Sequence, residues 1–170
     1  MTQVRRHAVV LALALMAAGA PAADAQDEVD SFQIQGWNGG PRFEPGGRAF
    51  SHCAVSTVVG GVGLTFALTA TDEFRVEIGA DDWHLRPGGD YVATLMIDHH
   101  EPIQTIAAAR SDKRMVVDLG ADEDFMKALR EGLFLRVLSE HIGISFSLTG
   151  SSQALLRLRG CVTDYRGRTR

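Results

Sequence analysis

Cysteine is scarce in this chain: Cys53 and Cys161 are the only two in 170 residues, and neither belongs to a C-x-x-C pair. Thiols so far apart make neither a redox motif nor a zinc knuckle. Beyond Ala18 no apolar run reaches the roughly 20 residues that span a bilayer. Basic charge is not in excess either, with 17 Lys and Arg against 21 Asp and Glu. A nucleic-acid binder normally carries a basic surface, so that class is set aside. There is no G-x-S-x-G elbow for a serine nucleophile. Gly60-Gly61-x-Gly63 is followed by strand-like sequence, where a phosphate-binding loop needs a helix. No internal repeat is present.

What is present begins with a leader. Met1 to His7 is short and basic, Ala8 to Ala18 is apolar, and Ala23-Asp24-Ala25 fits the A-x-A cleavage rule. Residues 1–25 therefore read as a signal peptide, with Ala18-Gly19-Ala20 and Ala20-Pro21-Ala22 as weaker cleavage points. The Arg5-Arg6 pair raises a twin-arginine route, but the flanking residues favour the general secretory pathway. Removing this leader takes away Arg5, Arg6 and Asp24 and leaves 15 basic against 20 acidic residues, a net charge of -5. About 145 residues remain, enough for one domain with a proper core. In an oxidising compartment the two cysteines have one intramolecular pairing open to them, Cys53 with Cys161.

Residues 26–49 are polar and rich in glycine, and Trp37 to Pro41 and Pro45 to Gly47 read as turns and loop. Regular period-2 alternation follows. It predicts strands over Phe50 to Val59, Leu64 to Leu68, Phe74 to Ile78, Tyr91 to Asp98, Ile103 to Ala109, Met115 to Leu119, Leu133 to Ser139 and Ile142 to Leu148. Gly60-Gly61 reads as a hairpin turn. One helix is expected after Asp122, with Phe125, Ala128 and Leu129 on its apolar face and Gly132 as its stop. A second starts at Ser151 or Ser152 as N-cap, with Ala154, Leu155, Leu158 and Cys161 facing inward. The expectation is a mainly β protein, an antiparallel β-sandwich with two short helices in a single domain over 26–170, closed by one disulfide. Residues 164–170 read as a flexible basic tail.

Several segments from Trp83 to Cys161 carry a likeness. They are His84-Leu85-Arg86-Pro87-Gly88-Gly89-Asp90-Tyr91 running to Ile97-Asp98, then Phe125-x-x-x-Leu129-x-x-Gly132 into Leu133-Phe134-Leu135-Arg136-Val137, then Phe146-Ser147-Leu148-Thr149-Gly150 followed by Ala154-Leu155. In these the chain resembles the invasion-associated locus B family of small periplasmic proteins from alphaproteobacteria. The resemblance implies a compact periplasmic β-sandwich with an envelope or host-contact role, and it carries no catalytic residues. The front half departs from the family pattern, and no mid-chain cysteine pair occurs.

Asp98-His99-His100-Glu101 holds the residue types that ligate zinc and other transition metals. Neighbours in a strand point to opposite faces, so at most half of this cluster can share one ion; before Pro102 it also reads as an exposed hairpin tip. Ser139-Glu140-His141 has the residue types of a hydrolytic triad, but three neighbours in a turn cannot face one another. His52 beside Cys53 can activate a thiol only if that cysteine is free. Trp83 and His84 are candidates for a core or rim anchor and a pocket wall. Trp37, in its glycine-rich setting, is a candidate exposed contact, although core burial is the commoner fate of so large a ring. Arg157, Arg159 and the tail arginines are the chain's phosphate-gripping candidates.

The sequence thus points to a periplasmic or secreted protein without a cofactor, whose function is to bind another envelope or extracellular macromolecule. Trp37, His99, His100 and Glu101 are its candidate contact surface, and Asp98, His99 and His100 are its only metal candidates. A metal-dependent hydrolase centred on Asp98 to Glu101 and an inhibitor of a protease or muramidase are the alternatives.

Overall fold

The computed structural model describes residues 31–46, 49–140 and 142–167. The signal peptide and its cleavage point, His141 and the last three residues of the tail lie outside the described residues. The described residues form ten strands and two helices: β1 (Phe32–Ile34), β2 (Trp37–Phe43), β3 (Phe50–Val59), β4 (Val62–Thr69), β5 (Phe74–Ala80), β6 (Asp90–Ile97), β7 (Ile103–Ser111), β8 (Arg114–Gly120), α1 (Glu123–Glu131), β9 (Phe134–Ser139), β10 (Ile142–Ser147) and α2 (Ser151–Tyr165). All strands join one antiparallel sheet in the order β1-β2-β3-β4-β5-β8-β7-β6-β9-β10. The mainly β antiparallel reading and the eight strands expected from alternation hold.

The alternation works because one face of each strand is buried. Val55 pairs with Phe66, Phe66 with Val76 and Val76 with Val117, so one cross-strand row delivers four fully buried side chains. Leu64, Ile78 and Met115 form the next row, and Leu95 opposite Val137 continues the same logic in the second half. Buried residues from both halves belong to one hydrophobic cluster. The sheet is continuous from β1 to β10, which is consistent with the expected sandwich. Its ends approach each other: the Trp37 indole Nε1 donates to the Thr149 carbonyl at 3.0 Å. Gln35, in the β1–β2 turn, touches Gly150 just beyond β10. Gly60 and Gly61 both have positive φ (55° and 82°), the backbone of a tight hairpin turn.

Three expectations are corrected. The lead-in read as loop contains β1 and β2. Gly39 is there for close packing: a Cβ on it would sit 2.6 Å from the Phe32 ring and 2.6 Å from Val55 Cγ1. Pro41 is tolerated in β2 because β1 starts opposite Gly39, which, among the described residues, leaves β2 an edge at Pro41. Ser151 is not an N-cap; Gly150 is. The Ser151 hydroxyl is buried and donates to the Leu129 carbonyl at 2.6 Å, tying the start of α2 to the end of α1. The tail is ordered through the described residues. Tyr165 is buried, 6.0 Å between ring centroids from both Phe43 and Phe50, and Arg166 pairs with Asp72 at 2.6 Å.

Cys53 in β3 and Cys161 in α2 are bonded, with Cα atoms 6.2 Å apart. The inward face of α2 is the expected one: Ala154, Leu155, Leu158 and Cys161 are all buried. In α1 the Asp122 carboxylate caps the helix by accepting from the Phe125 amide at 2.8 Å, and Glu123 and Asp124 complement the helix dipole in the first turn.

Candidate functional site

The connection from β6 to β7 organises the end of the sheet at which most candidate residues lie. β6 stops at Ile97, and Asp98 follows with φ 45°, a left-handed conformation that Asp tolerates better than most residues. The chain then turns, with the His100 amide donating to the Ile97 carbonyl at 2.8 Å. The Asp98 carboxylate accepts from the Leu133 amide at 2.7 Å and from the Phe134 amide at 2.9 Å. It thereby pins the junction between α1 and β9 to the end of β6. The Leu133 amide bond is the main cause that holds the Asp98 carboxyl below its ordinary pKa, with the Phe134 amide and both histidines acting the same way. Gly132 closes this corner. A Cβ there would come within 2.5 Å of Ile97 Cγ2 and 3.1 Å of the Asp98 carboxylate, so it serves space as well as the end of the helix.

The turn separates its own residues. His99 lines a cleft with Asp98, Leu133, Phe134 and Arg136. His100 and Glu101 line another, floored by Leu95, Ile97 and Phe125, with Asp122 and Asp124 at the start of α1. The two histidines therefore serve different clefts, and both oxygens of Asp98 are taken by backbone amides. Among the described residues no three His, Cys, Asp or Glu side chains converge as a metal-ligand group.

The first cleft opens onto an apolar band that sequence reasoning missed. Phe134, Arg136 and Leu138 alternate along the outer face of β9, and Leu138 pairs with Thr94 of β6. Val92 lies on the same face of β6 and pairs with Ile106 of β7. The exposed fractions are 53% for Ile106, 51% for Val92, 43% for Leu138, 50% for Phe134 and 69% for Leu133, just before β9. Half-buried Met96 lies between these residues, opposite Arg136. The band crosses three neighbouring strands on the outer face, diagonally to their direction. Its sequence signal is an apolar residue on both faces of one strand: Phe134-Leu135 and Val137-Leu138 break the alternation that a solvated outer face calls for.

The remaining candidates are placed as follows. Trp37 is not a surface contact: it is 1% exposed and stacked on Phe66 at 5.1 Å. His99, His100 and Glu101 are exposed. Cys53 is oxidised, so His52 has no thiol to activate; its ring Nδ1 lies 3.1 Å from Ser51 Oγ, and burial is the main cause that lowers its pKa. Half-buried Trp83 and exposed His84 line a shallow depression with Asp82 and Leu85. Glu140 forms the turn between β9 and β10. The phosphate-gripping arginines among the described residues are occupied, and Arg168 and Arg170 lie outside them. Arg159 pairs with Glu123, Arg166 with Asp72, and Arg157 lies 5.4 Å over the Phe32 ring and 3.6 Å from Asp164.

No family model matches the chain, and no curated protein matches its sequence. Among solved structures, the chain is similar to invasion associated protein B from Bartonella henselae. The two are 17% identical with a TM-score of 0.57, over 79% of this chain and 97% of that one. At that identity the likeness is one of fold, and in that sense it matches the resemblance read from the segments between Trp83 and Cys161.

Proposed function

We propose that this chain is an exported, non-enzymatic accessory protein that binds another protein of the envelope or the extracellular space through the outer face of β7, β6 and β9. The exposed band of Ile106, Val92, Leu138, Phe134 and Leu133 carries the reading. Large apolar side chains scattered singly need no explanation, whereas a contiguous exposed group marks an interaction surface. His99 at one end of the band, and Arg136 between Phe134 and Leu138, supply the polar groups expected beside such a patch. The Cys53–Cys161 bond supports an oxidising compartment. Among the described residues no helix is long and apolar enough to cross a membrane.

The test uses a photoreactive phenylalanine analogue in place of Phe134, with the same analogue at exposed Leu156 of α2 as control, in cells that make the protein. A defined protein adduct from position 134, absent from position 156 and lost on adding Leu138→Asp, is the expected result. Equal adducts from both positions, or none from position 134, would overturn the proposal.

A further inference from the structure

We infer that the groove between the β6–β7 connection and the start of α1 is a binding site for an extended peptide segment carrying a lysine or arginine between apolar side chains. This goes beyond the outer-face reading, uses a different surface and can fail independently of it.

The groove encloses about 390 Å³, near the low end of the roughly 300–1,000 Å³ range of ligand clefts. Its floor is apolar, made by Leu95, Ile97, Ile103 and Phe125. All four belong to the core or pack against it, so the floor is rigid and already formed. α1 forms one wall of the groove through Asp124, Phe125 and Ala128.

The mouth is acidic. Glu101, Asp122 and Asp124 line it beside His100, and among the described residues neither lysine nor arginine does. Asp122 is engaged at the Phe125 amide. Glu101 and Asp124 have no ion-pair partner among the described residues. The neighbouring cavity along α2 shows what a self-satisfied site looks like in this fold. Its two carboxylates, Asp72 and Glu123, are matched by Arg166 and Arg159 of the chain itself. At the groove no lysine or arginine among the described residues takes that place, and the apolar floor beside the carboxylates calls for a ligand with both properties. A basic side chain fits on both counts, because its methylene stem covers apolar surface while its head stays with the carboxylates.

The probe is a fluorescein-labelled peptide, Gly-Leu-Lys-Leu-Lys-Leu-Gly, with a second peptide bearing glutamate at both lysine positions. Fluorescence anisotropy against the intact protein should show the basic peptide binding at least about tenfold tighter than the acidic one. Two exposed ion pairs of about 0.5 kcal/mol each imply that the double variant Glu101→Gln, Asp124→Asn binds about fivefold more weakly. Phe134→Glu, on the outer face, should bind as the wild type does. Amide shifts should move at Glu101, Ile103 and Phe125 and stay fixed at Val92. Equal affinity for both peptides, an unaffected double variant, or shifts confined to the outer face would each overturn the inference.

Discussion

Reducing the disulfide without changing a single atom of the packing partners isolates what the cross-link contributes. Cys53 and Cys161 are separated by 108 positions, so the unfolded oxidised chain carries a loop spanning β4 to β10. The loop-closure relation gives about 4.8 kcal/mol at 25 °C for 108 residues, an upper figure because real denatured chains keep some structure. Both sulfurs are buried, Cys53 at 0% and Cys161 at 3% exposure, and each sits on an element held by other contacts. β3 is paired on both sides, while α2 is fixed by Leu155, Leu158 and the Ser151 bond to α1. The native fold should therefore survive reduction, and the loss should fall at about 2–5 kcal/mol. With a urea m-value near 2 kcal/mol per M, the unfolding midpoint of the reduced protein should lie about 1 to 2.5 M below that of the oxidised protein. The assay is urea unfolding followed by tryptophan fluorescence, since Trp37 lies in the core, with and without reductant. Alkylation in denaturant confirms the thiol state of each sample. Midpoints that coincide within about 0.2 M would refute the reasoning, because the loop entropy of so long a segment cannot then be limiting.

Ser151→Ala removes the only side-chain donor to the Leu129 carbonyl among the described residues and leaves that acceptor buried, so a loss of about 1–3 kcal/mol is expected in the same assay. A loss under about 0.5 kcal/mol would show that another group takes over the carbonyl. Asp98→Asn should be destabilised relative to wild type at neutral pH, with the gap closing in acid. The folded carboxyl has the lower pKa, so its contribution is present above the unfolded value of about 4 and is lost as pH falls through the folded value. A gap unchanged between pH 7 and acid would remove the Leu133 and Phe134 amides as the cause.

Period-2 alternation made most of the sheet readable, since one buried face forces apolar residues to every second position of β3 to β10. The disulfide was readable from compartment and count. What escaped has physical causes. The glycine at position 39 reads as a turn in sequence, yet it serves the close approach of Phe32 and Val55, a contact between three strands that no local pattern shows. Ser151 has the chemistry of a cap, and only the position of α1 directs it to Leu129. Asp98 read as a metal candidate because its amide partners lie 35 and 36 positions away. The outer apolar band depends on which strands are neighbours: β6 lies between β7 and β9, and that order is not written in the strand pattern. At the candidate groove, Glu101 and His100 were legible as polar tip residues. The floor that gives them meaning comes partly from α1, and therefore was not.

The disulfide also has a direction in time. A ribosome adding about 5–20 residues per second takes on the order of 5–20 s to lay down the 108 positions from Cys53 to Cys161. β3 is complete, with its sulfur in place, long before its covalent partner exists. A chain that stops anywhere before position 161 keeps a lone thiol, and with it a reactive handle for a mixed disulfide or for quality control. Oxidation of Cys53 to its own partner therefore marks a chain that has been made through position 161 and whose α2 has docked.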